Sequence, residues 1–273
     1  MPTQFEIAIL CDNESCAPEF GSEWGLSMAL TLADGALWLW DTGKTGLFLK
    51  NAVAMGIDVA RAQGLALSHG HYDHTGGISA LLAEGFTGTI HAHPTCASDR
   101  WSADPKGPRH IGPPTPLPTF VPAGPITKLA PGLTMITDIP REQGRFQAVQ
   151  GFSYDRDGRQ PDNVPDDAFL VLDTAQGPVA VLGCCHSGLA NSLDCARDRL
   201  GIASFHAVLG GLHLYKADTN ALEETADALH RHGVCLLVAG HCTGADRFQD
   251  LRGLLRGCKT EYMAAGRRYT FRA

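Results

Sequence analysis

A chain of 273 residues, 44% of them hydrophobic and 19% charged, can bury a substantial core, as one large α/β domain or two small ones. Its formal net charge of −7, with no basic stripe, argues against a nucleic-acid backbone as partner, because such binding needs Lys and Arg to displace counterions. No apolar stretch is long enough to span a bilayer, and Met1 to Glu6 lack the basic start and apolar run of a leader, so a cytoplasmic protein with no membrane contact is expected.

Phe5–Leu10, Ser27–Leu32 and Ala36–Trp40 read as early strands, the last two separated by a hairpin signal at Asp34-Gly35. The third runs into Asp41-Thr42-Gly43, after which Leu47 to Met55 has helical spacing, stopped by Gly56. The apolar run Gly64–Leu67 reads as a buried strand that delivers Ser68-His69-Gly70-His71-Tyr72-Asp73-His74-Thr75-Gly76-Gly77. Three imidazoles and one carboxylate thus fall within six residues. In a tight loop His69 and His71 can grip one ion while Asp73 and His74 point to a second position. Neutral imidazole and carboxylate suit Zn²⁺, with Mn²⁺ or Fe²⁺ as alternatives.

A helix from Ile78 and a strand over Gly88–Pro94 follow; His91 and His93 share a face of that strand but stand at an ordinary strand end and are not expected to bind metal. Eight of the sixteen prolines fall between Pro105 and Pro125, which excludes helix and predicts a semi-rigid loop over about 105–125 that could roof a site. Gly132–Ile136 reads as a short strand, and Arg141 and Arg145 are weighed as anion clamps against plain solvated arginines. Ala168–Leu172 and Val179–Leu182 form a strand pair across Gln176-Gly177 and lead to Gly183-Cys184-Cys185-His186-Ser187-Gly188, then a helix over Leu189–Leu200. Ala207–Leu209 enters Gly210-Gly211-Leu212-His213-Leu214. Asn220 with Glu223 reads as a capping box opening a helix that Gly233 ends, and Leu236–Ala239 delivers Gly240-His241-Cys242-Thr243-Gly244. Three strands therefore end in histidine-bearing loops, the way a ligand site is built at strand ends. The nine cysteines are odd in number, with no Cys-x-x-Cys pair, and fit reduced thiols; Cys184, Cys185 and Cys242 lie beside candidate ligands.

Ser68 through Gly77 resembles the His-x-His-x-Asp-His signature of the metallo-β-lactamase superfamily. The resemblance implies an αββα sandwich, here a single domain over 1–273, holding one or two divalent metals at its edge. It assigns His69, His71, Asp73, His74 and His241 as metal ligands, with Asp41 supporting the metal loop from behind; His186, after an apolar strand at a glycine-rich turn, is read as a further ligand. This chain departs from the family in the middle. Where the superfamily has a histidine before the second hairpin and a bridging aspartate after it, this chain has Asp166-Asp167 before and Cys184-Cys185-His186 after. Either His186 supplies the missing imidazole, which is the favoured reading, or Cys184 or Cys185 takes the bridging position while Asp166 or Asp167 replaces the histidine.

Glu23–Ser27, Ile139-Pro140-Arg141, Asp166-Asp167, Gly183–Gly188, Gly210–Leu214 and His241–Gly244 together resemble the dihydropterin-type branch, named for a synthase that joins a dihydropterin diphosphate to an aminobenzene ribofuranosyl phosphate; Trp24 stands where that branch is expected to carry histidine. The expected activity is hydrolysis of a small ester, lactone or phosphate, anionic or phosphorylated, by water activated at the metal. Asp73 orients or binds the second ion, and His213 acts as substrate contact or general acid. Condensation with diphosphate release is the alternative, and a catalytically silent metal-binding sensor the second.

Overall fold

The computed structural model describes residues 4–273; Met1 to Thr3, which carry part of the leader reading, lie outside the described residues. Two seven-stranded mixed sheets stack face to face. In the first, the order is Arg268–Arg272, Gln4–Cys11, Ser27–Thr31, Leu37–Trp40, Gly64–Ala66, Thr89–Ala92 and Val121–Pro122. In the second it is Lys259–Tyr262, Leu236–Gly240, Ala207–Gly211, Val179–Leu182, Phe169–Leu172, Leu133–Ile136 and Ile126–Ala130. Both sheets start as antiparallel hairpins and turn parallel where the chain crosses over through helices, and from there successive strands deliver their C-terminal ends to the same edge.

Apolar alternation explains the layers. One core lies between the sheets, with Ile7, Met28, Leu30 and Trp40 of the first packed against Leu170, Val181, Leu209 and Val238 of the second. The opposite faces are covered by helices: Phe48 and Ala52 of Leu47–Ala54 and Ile78 and Leu81 of Ile78–Ala83 on the first sheet, and the helices Leu189–Leu200, Thr219–Arg231 and Ala245–Leu254 on the second. The four layers are the αββα sandwich that the histidine signature implied. Trp40 joins the sheets directly, its indole N–H donating to the Leu182 carbonyl at 3.0 Å.

Local readings differ in three places. The helix Thr219–Arg231 is capped by Asp218, whose carboxylate accepts from the Ala221 amide at 2.9 Å, and Asn220 already lies inside the first turn. The proline-rich stretch does not stand free: Arg109–His110 joins a small sheet with Trp101–Ser102 and Phe152–Ser153, and Val121–Pro122 adds an edge strand beside Thr89–Ala92. Beyond Gly244, where no sequence signal was read, a helix and two strands extend both sheets. None of the nine cysteines is in a disulfide. No helix among the described residues is long and apolar enough to cross a membrane.

Candidate metal centre

The parallel strands Gly64–Ala66, Val179–Leu182, Ala207–Gly211 and Leu236–Gly240 end at one rim of the sandwich, and the loops leaving them carry the histidines. The turns there are sharp. Asp41, Cys185, His213 and His241 all take positive φ, between 49° and 58°, conformations that L residues hold only when the surroundings impose them. Gly183 permits the closest approach of the two sheets' loops, since a Cβ on it would sit 2.3 Å from that of Ser68.

The donor atoms fall into two sets, each within 4.8 Å: His69, His71 and His186 in one, Asp73, His74 and His241 in the other. Each set draws on both sheets. Behind the rings, partners fix the tautomers. Asp41 accepts from the Ser68 amide and hydroxyl, both at 2.7 Å, and from His74 Nδ1 at 2.7 Å. The Ser68 hydroxyl proton is thereby committed, so His69 Nδ1, 2.9 Å from that oxygen, must donate to it. His186 Nδ1 donates to the Ala148 carbonyl at 2.6 Å and His241 Nδ1 to Asn13 Oδ1 at 3.2 Å. The second nitrogens of His69, His186 and His241 are therefore left as lone pairs turned inward, the arrangement that outer partners impose on metal-bound histidines.

Most of the ring nitrogens turned inward have no partner in the protein. His71 Nε2, His186 Nε2 and His241 Nε2 are buried with no hydrogen-bond partner, and His69 Nε2 faces His71 Nδ1 at 2.9 Å. Unpaired buried polar atoms cost free energy, and so many around one point fit a cation better than any arrangement of protons. Burial, then repulsion among the clustered rings, holds His69 well below the ordinary imidazole pKa, and burial does the same to His71, His186 and His241, which keeps all four neutral and ready to donate. His74 differs. Burial opposes its charge too, but Asp41 outweighs it and raises the pKa to about 9.

Loop 183–188 brings both His186 and Cys184 to the rim. His186 joins His69 and His71, while Cys184 Sγ groups with His69 and His74, with His186 and His213, and with His241 and Cys242. Cys185 turns away, into the helix-facing core, with Sγ 3.6 Å from Ser192 Oγ. Asp166 and Asp167, the alternative ligands of the sequence reading, fall in none of the donor groups, and Asp167 Oδ1 is buried without a partner. They bind backbone instead: Asp166 accepts from the Gly70 amide at 2.8 Å and Asp167 from the Ser187 amide at 2.7 Å. Asp166 also pairs with the fully buried Arg100 at 2.6 Å, so a neutralised carboxylate pins the metal loop. Arg141 is likewise engaged, by Ser187 Oγ and the Val164 carbonyl, and braces the 183–188 loop rather than clamping an anion. His91 and His93 stand outside the donor sets; His93 accepts from the Thr95 amide instead.

The same rim, signature and four layers coincide with what comparison with known proteins shows. The model of the metallo-β-lactamase superfamily matches residues 26–190. The chain belongs to that superfamily. It is similar to the 7,8-dihydropterin-6-methyl-4-(β-D-ribofuranosyl)-aminobenzene-5'-phosphate synthase of Methanocaldococcus jannaschii, 28% identical with 82% of each chain covered. The crystal structure of Tm1679, a metal-dependent hydrolase of the β-lactamase superfamily, covers 97% of this chain and 98% of its own at 28% identity and a TM-score of 0.83. The metallo-β-lactamase fold protein YhfI of Bacillus subtilis, 11% identical with a TM-score of 0.61 and coverage of 98% and 99%, shares the fold.

A cleft of about 750 Å³ opens beside this superfamily centre, with His213 in its lining. His213 lies with its ring 4.4 Å from that of His186, and its Nδ1 is buried and unpartnered. Phe152 stands over His71 and His186, at 5.2 and 5.6 Å between centroids, and Trp24 packs on His241 at 5.5 Å. Residues 102–104, 109 and 145–152 form the outer wall, so the roof comes from the small third sheet and its loops more than from the proline-rich stretch. Arg109 and Lys216 line the cleft with no carboxylate within 4.0 Å among the described residues. Sequence reading passed over Asn13, Arg100, Arg109, Phe152, Tyr215 and Lys216; the only local signal was the aromatic Tyr215 next to Lys216, two residues beyond His213.

Proposed function

We propose that the protein is a metal-dependent hydrolase of a small anionic ester, lactone or phosphate, with zinc as the favoured ion. The observation that carries this reading is the ring of unpartnered imidazole nitrogens beside a cleft whose wall carries Arg109 and Lys216 along with Asp104 and Asp218. His69, His71 and His186 would hold one ion and Asp73, His74 and His241 the other. When bound, such ions supply Lewis acidity, which makes water a competent nucleophile near neutral pH and polarises a carbonyl or phosphoryl oxygen.

The chain's own residues do the rest. Arg109 and Lys216 attract the anionic group and set its orientation, and Phe152 and Tyr215 offer aromatic faces to its apolar part. Phe152 and Trp24 also shield the donors from bulk water. His213, at the junction of cleft and donors, is placed to give a proton to the departing oxygen from a ring nitrogen. A His213→Asn variant that loses rate on substrates with poor leaving groups, but keeps it on activated aryl esters, would support that assignment; equal loss on both would refute it.

A second reading, condensation of a dihydropterin diphosphate with an arene, is supported by the identity to the archaeal synthase across 82% of both chains. The two separate in one assay of the metal-loaded protein. Turnover of single ester or phosphate substrates supports hydrolysis. Diphosphate release only when a dihydropterin diphosphate and an arene are both present reverses the ranking.

A further inference from the structure

We infer that Cys235 and Cys258 are a dithiol pair that closes to a disulfide on meeting a low-molecular-weight disulfide, and that the new bond staples the outer strand of the second sheet. Neither the ions nor the reaction at the rim enters into it.

The nine cysteines are all reduced but unequally placed: six are buried, Cys16 and Cys235 are exposed, and Cys258 is half-buried. Strand register brings the last two together. Leu236 is the direct partner of Lys259 in the parallel pair Leu236–Gly240 and Lys259–Tyr262, and the Lys259 amide donates to the Cys235 carbonyl at 2.8 Å. One step back along both strands, Cys235 therefore stands opposite Cys258. Neighbouring strands run about 4.8 Å apart, inside the Cα separation of about 4.4 to 6.8 Å that a disulfide spans, and side chains at opposed positions share a face. Alternation fixes which face. Leu236 packs on the core between the sheets, whereas Leu237 lies in the helix-facing core and Cys258 packs against it, so Cys235 and Cys258 are both on the helix side.

Neither thiol has another task. Each makes one long contact to a nearby carbonyl, Cys235 Sγ to Gly233 and Cys258 Sγ to Lys259, both at 3.5 Å, and neither falls in a group of three metal donors among the described residues. Burial raises the Cys258 thiol pKa and the neighbouring Cys235 adds to the rise, so the exposed Cys235 is the thiol that an incoming disulfide meets first. Cys235, as thiolate, displaces one thiol from the reagent and forms a mixed disulfide; Cys258 then displaces the second. The protein gives up two hydrogens, and the reagent leaves reduced, as two thiols. Lys259–Tyr262 is the outer strand of its sheet, paired only with Leu236–Gly240, so the bond closes a loop around the helix Ala245–Leu254 and ties down a strand held from one side only.

The test adds oxidised glutathione to the full-length protein, blocks the remaining thiols and maps the peptides. The peptides of Cys235 and Cys258 should be joined to each other without glutathione. Cys16, whose neighbour across the chain is Gly266 rather than a cysteine, is the control that stops at the glutathione adduct. In Cys258→Ser the adduct should remain on Cys235. Bridged protein carrying Cys16→Ser, which excludes the control adduct, should unfold at a higher urea concentration than its reduced form, and adding Cys235→Ser should remove that difference. Cys235 left free or kept as the adduct in the parent, a bridge from Cys235 to any other cysteine, or equal urea midpoints for the bridged and reduced forms overturns the proposal. Failure of the hydrolase reading would leave the peptide map unchanged.

Discussion

The two sheets build the same centre in opposite styles. The first supplies His69, His71, Asp73 and His74 from one loop, with Asp41 behind them on the neighbouring strand. The second supplies Cys184 and His186 from one loop, His213 from another and His241 from a third, each at the end of a different strand. A contiguous donor run keeps its geometry through local hydrogen bonds, whereas dispersed donors meet only if three parallel strands stay in register. The first half of the site is therefore a property of a loop and the second a property of a sheet.

The largest effect should come from removing one donor of each style. His71→Ala and His241→Ala should each abolish activity to below detection, and elemental analysis should show one ion retained in each. Loss of both ions from either variant would mean that the halves are not separable.

Next in size is the pH dependence of the metal-free protein, followed by chemical denaturation. His69, His71, His186 and His241 are held neutral when folded but take protons when unfolded, so each lowers stability as pH falls below about 6.5, by about 1.4 kcal/mol per pH unit while the difference lasts. His74, raised to about 9, works the other way: its contribution is complete below about 6.5 and is lost as pH rises through 9. Asp12, raised by burial to about 8, protonates in the folded state alone between about 4 and 8, so its contribution also declines with rising pH over that range. Four groups against one on the acid side predict that stability falls steeply below pH 6.5 and more gently above it. Metal should flatten the acid limb, because liganded imidazoles no longer exchange protons in this range. An acid limb as shallow as the alkaline one would remove the case for buried neutral rings.

Arg100→Met tests what braces the contiguous half. Breaking the fully buried pair with Asp166 should cost about 3 to 5 kcal/mol, read from the denaturation midpoint, and weaken metal binding through the Gly70 loop. A stability loss with unchanged metal affinity would show that the metal loop holds itself. The smallest effects belong to the cleft. Arg109→Ala or Lys216→Ala should raise KM for an anionic substrate about tenfold each with little change in kcat, as expected for one charge-assisted contact, and neutral substrates should not notice.

Much of this was legible beforehand, and unevenly. His69 through His74 could be read because their spacing is itself the geometry, and Asp41 and His241 because the family signature reserves places for them at strand ends. Loop 183–188 was legible only as a choice between His186 and a cysteine, since nothing in Cys184-Cys185-His186 says which side chains face the rim. The positive φ of Cys185 is what turns its side chain to the helices and leaves Cys184 and His186 facing the donors. Asp166 and Asp167 looked like ligands because a buried Asp-Asp pair beside a metal loop has that composition, yet backbone amides and Arg100 claim them.

By itself the amino-acid sequence determined the layers, the contiguous donor run and the strand ends at which further donors would stand, because apolar periodicity and short spacing are local quantities. Only the tertiary structure decided that Cys184 groups with members of both donor sets, that Asp166 and Asp167 hold backbone amides, and that Arg109 and Lys216 share a cleft with His213. Those facts depend on strand register and on side-chain direction at turns, which are set by the packing of one sheet against the other and leave no trace in any short stretch of chain.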